Sequence, residues 1–531
     1  MLIKLAGMGG VAPKITPELL PDNLAQTATN VILHNGGVSS LSDTVWVQTP
    51  TKAGAANTIY RFGRNHTEDG YWFKFSSVVN IVKGPIPGDT EERTYYTGDG
   101  APKKTNFSLA TGSGSSYPVV SYEMKIPSPA SAPTVTQVET AGPEVEEQRA
   151  YIYTYVTGWG EESGPSLATV GTADATHLLD ISGFATPPTG AYNITHINVY
   201  RSVTSSSGTN YYFTRQITVG TASFTDDTAI ASMGEPIPTL DWDEPPDDLF
   251  GLVALPSGAL CGISGKDICF SVINAPYAWP EKYRLTCDYN PVAVAPMGQG
   301  VVVVTDGLPY MINSGDPEST MMVRLDDEQA CVAARSVVPF GGGVVYASPD
   351  GLISITQGGI KNLTENIYDH KAWQAINPSS IFAVKHDNRY YGFTSSGGFV
   401  LDTSGNFTTH NITATAAYVD PVLDRLYVAI GAYVKKWDSG SALTHTWKSK
   451  RYNLPKQESF ACAQVLASSF SNLTFRMYAD GVLKHTQTVT SDAPFRLPSG
   501  FKGRRYEFEI SGTDHWTHCA IAQSMEELKN V

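Results

Sequence analysis

The chain has 531 residues, 48 of them Gly and 33 Pro, with 17% charged residues and a formal charge of −14. A single core stops growing well short of this length, so three or four domains are expected, and so many turn-formers with so few charges point to a mostly β protein. The excess of 51 Asp and Glu over 37 Lys and Arg argues against a general nucleic-acid-binding face, because phosphate affinity needs clustered cations, but it allows contact with DNA that is repelled rather than held.

The opening MLIKLAGMGGVA has one Lys and an apolar stretch broken by glycines. It is too weak for a secretory signal, and no apolar run approaches the ~20 residues of a membrane span, so assembly in a cytoplasm without membrane insertion is expected. Next, Pro21-Asp22-Asn23 offers an N-cap, and Leu24, Ala25, Ala28 and Val31 recur at helical spacing. This predicts a short helix, ended by Asn35-Gly36-Gly37 and followed by a strand. Strands follow at Thr58–Gly63, Tyr71–Val82 and Arg93–Thr97, then a loop at Gly98–Pro102, and a Gly/Ser run at Gly112–Ser116 closes the region.

From about Met124 to Gly142 a Pro-, Ala- and Ser-rich stretch reads as a connector entering a first strand. RAYIYTYVTGWGEESGPS (Arg149–Ser166) and INVYRSVTSSSGTNYYFTRQITVGTASFTDD (Ile197–Asp227) alternate apolar and polar residues between polar turns. Seven or so short strands with no Cys pair fit an immunoglobulin-like or fibronectin type III sandwich. DWDEPPDD (Asp241–Asp248) is an acidic hinge, read first as a solvated linker and alternatively as the lining of a negative channel.

One phrase then recurs five times, as apolar run, turn, apolar run, turn, apolar run. The copies are LVALPSGALCGISGKDICFS from Leu252, VAVAPMGQGVVVVTDGLPYMI from Val292, SVVPFGGGVVYASPDGLISIT from Ser336, IFAVKHDNRYYGFTSSGGFVLD from Ile381 and AAYVDPVLDRLYVAIGAYVKKWD from Ala416. Their starts lie 40, 44, 45 and 35 residues apart, close to the period of a four-stranded β-propeller blade. After them come two alternating strands around the hairpin turn Ala479-Asp480-Gly481, two further strands and a short helical tail from about Ser524. These late strands need a sheet partner, and the N-terminal region is the economical one. The expected fold is therefore mainly β and multidomain: a β-rich platform with a short helix (1–128), the sandwich (129–236), a propeller of five to six blades (237–446) and a C-terminal β region (447–531) completing the platform.

Little in the chain suggests catalysis. There is no HExxH, P-loop, GxSxG elbow or dinucleotide fingerprint. Gly262–Asp267 resembles a phosphate loop only superficially and falls at a blade turn. Ser348-Pro349-Asp350-Gly351 is the nearest approach to a sialidase Asp box, but its Gly is one place early and no Thr-Trp follows. His515, His518 and Cys519 could not converge on a metal from one straight strand. The six cysteines, Cys261, Cys269, Cys287, Cys331, Cys462 and Cys519, lie in apolar runs without a CxxC pair and read as buried thiols. No catalytic, cofactor-binding or metal residue is therefore assigned, no cofactor is expected, and the chain is read as a non-enzyme.

Several phrases resemble the tail tubular, or nozzle, proteins of short-tailed bacteriophages. They are PKITPELLPDNLAQTATNVILHNGGVSSL (Pro13–Leu41), TYYTGDGAPKKTN (Thr94–Asn106), the sandwich strands RAYIYTYVTGWGEESGPS and INVYRSV, HTWKSKRY (His445–Tyr452) and FRLPSGFKGRRYEFEISGT (Phe495–Thr513), and they occur in the family's order. The resemblance spans almost the whole chain, although no one phrase carries chemistry. It implies a virion structural protein that forms a sixfold ring with copies of itself below the portal and adaptor ring. Such a ring docks tail fibres or spikes and encloses the channel through which double-stranded DNA leaves without sequence recognition. Two other classes remain open: a receptor-binding or polysaccharide-cleaving tailspike, which would normally show a long β-helix period or a coiled coil, and a secreted propeller-containing adhesin or hydrolase, which would need export.

Overall fold

A computed structural model of the chain describes residues 1–63, 65–138, 147–173, 178–205, 208–313 and 316–529. Its regular structure is nearly all strand, and the longest described helix, His370–Ala375, has six residues and is capped by the Asp369 carboxylate. The chain divides into two compact units, one of Met1–Ser76, Val302–Tyr310 and Arg324–Val531, the other of Ser77–Val301 and Met311–Val323.

In the first unit the two ends of the chain share sheets. Leu2–Ala6 pairs along its whole length with Trp516–Ala522, which also pairs with Cys462–Ala467. Ala25–Thr29 runs antiparallel to His445–Ser449 on one side and makes a parallel bridge, Thr29 to Thr409, on the other. The N-terminal strand thus joins Phe407–His410 to the C-terminal strands Gly503–Gly512, Leu473–Ala479 and Val482–Thr488 in one ten-stranded sheet. The preceding segment is seated at Gly10, where an added Cβ would lie 2.3 Å from the Phe407 carbonyl oxygen. Only glycine lets Val11 N–H reach that oxygen, at 2.8 Å.

The helix expected after Pro21 is therefore a pair of strands, Ala25–Thr29 and Val31–His34. Ala25, Ala28 and Val31 are buried at the spacing that suggested a helix, but the spacing has another cause. A bulge between Ala25 and Thr27 and a left-handed Asn30 (φ 55°) each displace the two-residue alternation of a strand by one position. Asn35 (φ 50°) and Gly36 (φ 76°) then form a two-residue hairpin turn leading into Gly37–Ser40, where a helix end was expected. The single strand expected over Tyr71–Val82 is likewise two, Tyr71–Phe75 and Asn80–Lys83, broken by a bend at Ser76-Ser77.

Each repeated phrase supplies three antiparallel strands of a four-stranded meander, the blade unit the period implied. The third copy is Val338–Phe340, Gly343–Ser348 and Gly351–Thr356, completed by Gly359–Asn362. The first is Phe250–Ala254, Leu260–Ser264 and Asp267–Phe270, completed by Leu285–Thr286; the second, of Pro291–Met297, Gly300–Thr305, Tyr310–Ile312 and Met322–Arg324, contributes residues to both units. The fourth spans Phe382–His386 to Phe407–His410. In the fifth, Ala416–Asp420, Arg425–Ile430 and Tyr433–Lys436 take their outermost strand from Val45–Gln48, far upstream. Val47 there packs with Tyr427, Val434 and Trp72, and so ties the hairpin of Thr58–Phe62 and Tyr71–Phe75 to the same core.

The second unit contains the sandwich. Its seven strands form a sheet of Thr134–Gln137, Leu179–Ser182 and Ser223–Asp226 against one of Thr169–Ala173, Glu147–Thr157, Ile194–Ser205 and Gly208–Thr218. Tyr151, Tyr153 and Tyr155 from one sheet meet Leu179, Ile181 and Phe224 from the other. The architecture is the expected one, but the strand order, 1-4-7 over 3-2-5-6, differs from the ABED/CFG order of an immunoglobulin constant domain. The end of the connector before it, residues 139–142, and the turn at 206–207 lie outside the described residues.

The acidic stretch at Asp241–Asp248 faces solvent as read, but it is a pinned strap rather than a loose hinge. Asp243 accepts the Glu281 N–H at 2.9 Å, Asp247 pairs with Lys125 at 2.8 Å, and Asp248 accepts the Ser264 hydroxyl at 2.6 Å. Among the described residues, three ion pairs are fully buried. Arg61 to Asp420 (2.6 Å) fixes the Thr58–Phe62 hairpin to the fifth meander. Arg201 to Asp226 (2.7 Å), with the Tyr151 hydroxyl as a second donor, crosses the sandwich core. Lys104 to Glu161 (2.5 Å) binds the strand Lys103–Thr105 to the turn after Glu147–Thr157. Burial pulls the Lys104 ammonium below the usual lysine range, and the Glu161 charge opposes that pull. Replacing one partner strands the other charge in the interior. Lys104→Met is therefore expected to cost about 3–5 kcal/mol and to raise hydrogen exchange at Lys103–Thr105 and Gly158–Ser163. The double variant Lys104→Met/Glu161→Leu should regain most of that protection.

Candidate interaction surfaces

The residues singled out for possible chemistry lie in hairpin turns and in or beside the strand Trp516–Ala522. Gly265-Lys266 is the tight turn of the first meander, and Lys266 Nζ donates to the Asp288 carbonyl at 2.8 Å. Pro349-Asp350 is the hairpin turn of the third meander, with Asp350 Oδ1 2.9 Å from His370 Nδ1. His515 lies before the last strand and hydrogen-bonds the Ser39 hydroxyl at 2.8 Å. Cys519 is fully buried, and its thiol is pushed well up by burial. All six cysteines are buried. Among the described residues, no three or more His, Cys, Asp or Glu are grouped to hold a metal ion.

A cleft the sequence did not announce lies between the fourth and fifth meanders. It encloses about 470 Å³ and is lined by His386, Asp387, Arg389, Asp424, Lys436 and Trp437, among others. The hairpin turns around it require left-handed backbone: Asp387, Asn388, Asp424 and Asp438 have φ of 47°, 53°, 48° and 46°. Asp and Asn tolerate that conformation better than other non-glycine residues. The charges cancel locally. Arg389 pairs with Asp387 at 3.0 Å and Arg425 with Glu68 at 3.1 Å, while Asp438 accepts the Ser42 N–H at 2.6 Å. Such a site offers donors and acceptors to water or a polar group but no net field for a polyanion. Its one sequence trace is the Asp and Asn at the hairpin tips.

Two buried histidines stand on either side of the N-terminal strand. His410 packs against Phe393 and Trp437, and among the described residues neither ring nitrogen has a partner at full hydrogen-bonding geometry; burial lowers it to about 4, against a weaker upward pull from the Ile412 backbone. Gly398 leaves room for its ring, since a Cβ there would lie 2.5 Å from His410 Nε2. His445 accepts the Trp516 indole N–H on Nε2 at 3.2 Å, which places its own proton on Nδ1, facing the Ser40 hydroxyl at 2.8 Å. Burial lowers His445 to about 4 as well, against the pull of Asp514.

Charge is unevenly spread along the chain. Residues 447–531 carry 11 Lys and Arg against 8 Asp and Glu, in a chain that is strongly acidic overall. Within that region Val482–Thr488 is the outermost strand of the ten-stranded sheet, paired only with Leu473–Ala479. Val482 and Leu483 are 56% and 48% exposed. Asp480 (φ 52°) and Gly481 (φ 82°) make the expected hairpin turn before it. Lys484 leans over the Phe501 ring at 5.5 Å, and Arg504 donates to the Leu454 and Pro455 carbonyls, which brings Lys456 and Lys502 into the same neighbourhood.

No family model and no curated protein sequence matches the chain. Among solved structures, AztD from Citrobacter koseri is similar at 11% identity and a TM-score of 0.29, over 70% of this chain and 99% of that one. A BBS1N chain in complex with ARL6DN matches at 12% identity and 0.27, over 67% and 90%. A gluconolactonase from Xanthomonas campestris matches at 11% and 0.24, over 57% and 99%. At such scores the architecture rests on this chain's own strand pairing.

The histidines give a pH dependence with a definite sign. Both are held below the ordinary value of 6.5, so the folded chain binds fewer protons than the unfolded one between pH 6.5 and about 4. Stability is fully present above pH 6.5, falls as the pH drops through that window by up to about 3 kcal/mol per histidine, and loses nothing further from these groups below it. In urea unfolding, His410→Gln and His445→Gln are each expected to flatten the decline between pH 7 and 4.5 relative to wild type. An unchanged slope would remove the histidines as its source.

Proposed function

We propose that the chain is the nozzle subunit of a short phage tail, a virion structural protein without catalytic turnover that is assembled in the host cytoplasm. Six copies form a ring below the portal and adaptor, the ring encloses the DNA exit channel, and tail fibres or spikes dock on it. The observation that carries this reading is where the nozzle-like phrases fall. Pro13–Leu41, His445–Tyr452 and Phe495–Thr513 lie at opposite ends of the chain, yet they supply Ala25–Thr29, His445–Ser449 and Gly503–Gly512, three adjacent strands of one sheet. Thr94–Asn106 and Arg149–Ser166 meet through the buried Lys104 and Glu161 pair. The phrases thus mark seams that hold the shape of the subunit, as a ring component needs.

The charge balance supports the same reading. A chain of −14 repels a polyanion on passage instead of retaining it, and the locally neutral cleft adds no cationic trap.

The isolated protein is expected to be monomeric at nanomolar concentration in mass photometry and to form sixfold rings when mixed with the adaptor ring of its phage, seen by electron microscopy. Stable hexamers without adaptor would refute adaptor-dependent assembly. Folded protein that never joins the adaptor, or that cleaves surface polysaccharide, would sink the nozzle reading itself.

A further inference from the structure

We infer that the exposed edge strand Val482–Thr488, with the cations around it, is one half of a copy-to-copy contact whose other half is the edge Met321–Glu328 of a neighbouring copy. The inference supplies the contact for the ring proposed above and rests on that reading for the number of copies.

The first half is an open strand edge. Among the described residues Val482–Thr488 has a hydrogen-bonded neighbour on one side only, and along its length the side chains are exposed or half-buried. Such an edge presents a row of unpaired N–H and C=O groups to an incoming strand. Natural edges are commonly blunted by a charged side chain held over them, but here Lys484 is drawn onto the Phe501 ring, and Val482 and Leu483 remain exposed at the start of the strand. Lys502 and Arg504 complete a basic collar, with Lys456, already paired with Glu458 at 3.0 Å, beside them.

The second half has the same plan with the opposite charge. Met322–Arg324 is the outermost strand of the second meander, with Met321 65% and Val323 42% exposed beside it. Asp326, Asp327 and Glu328 follow at once, all exposed, and none of them forms a salt bridge with another of the described residues. One half offers two apolar side chains, an edge and cations; the other offers two apolar side chains, an edge and three carboxylates that outnumber the exposed Arg324 on the same strand.

The two halves are different surfaces of one chain, so their union is heterologous, and a heterologous contact propagates into a ring or filament instead of closing a dimer. Basic edge against basic edge would set cation on cation, which disfavours the twofold alternative. A contact of two short edges falls in the small, salt-sensitive class, below about 1,200 Å². It is too weak to hold free copies together when dilute, and sufficient once a scaffold raises their local concentration.

The test uses full-length protein and the native buried cysteines. A Leu483→Cys variant and a Met321→Cys variant are mixed at high concentration and low salt under mild oxidant. A disulfide-linked pair between the two variants is expected from the mixture, several-fold more than from either alone, and it should vanish at about 1 M salt. Lys484→Glu/Lys502→Glu in the first variant should abolish the pair, and Asp326→Lys/Asp327→Lys in the second should restore it. Circular dichroism of each variant separates lost contact from lost fold. No pair, a pair of Leu483→Cys with itself, or a yield indifferent to charge reversal would overturn the inference. Sixfold rings on the adaptor that lack the pair sink this contact and leave the nozzle reading standing. The pair without rings on the adaptor does the reverse.

Discussion

The structure of the first unit depends on one strand being inserted between others. Ala25–Thr29 sits between Phe407–His410 and His445–Ser449, and without it the fourth meander and the C-terminal strands would be separate sheets with raw edges. The insertion is locked from several directions. Gly10 passes under Phe407, the Trp447 indole donates to the Gly9 carbonyl, and the left-handed Asn30 bonds through its side chain to the Thr444 carbonyl and the Asn411 N–H. Trp447 and Trp516, fully buried and edge to face at 5.8 Å, form the apolar floor beneath it. Burying a large apolar side chain contributes about 1.5–3 kcal/mol, so the pair adds to what the backbone ladder supplies.

What could be read from the sequence follows how local the cause is. The three-strand phrases were legible because two-residue alternation and turn residues lie next to one another, as at Tyr346–Ile353 around Pro349-Asp350. The hairpin at Asp480-Gly481 was legible for the same reason. The fourth strand of the fifth meander was not, because nothing in Val45-Trp46-Val47-Gln48 says that its partner lies at Val434–Lys436. The misplaced helix at Leu24–Val31 shows the opposite error: a bulge and one left-handed Asn imitate helical spacing in three buried residues. Nor was the cleft between the fourth and fifth meanders legible, since it is assembled from turn residues whose types serve the turns.

Buried charge is concentrated where separate pieces of chain are joined. Arg61 and Asp420, Arg201 and Asp226, and Lys104 and Glu161 each link segments that no short loop connects. A buried pair adds little net stability over a well-packed apolar one, but breaking it is costly, so it penalises any register other than the native one. In a chain built from meanders of one pattern, where wrong pairings are easy, that selectivity has a use which packing alone does not supply.

The strand Val45–Gln48 also sets the order in which this protein can be made. It emerges during synthesis well before Tyr433–Lys436, the partner it must join, and at 5–20 residues per second the wait is roughly 20–80 s. Ala25–Thr29 waits comparably for His445–Ser449. The second unit lies between these halves of the first, apart from the few second-meander residues that interrupt it, so its sandwich can fold while the early strands remain unpaired. Long-range pairing of this kind folds slowly and exposes strand edges in the meantime, which makes the N-terminal fifty residues the natural client of a ribosome-bound chaperone and the segment most prone to aggregation when overproduced.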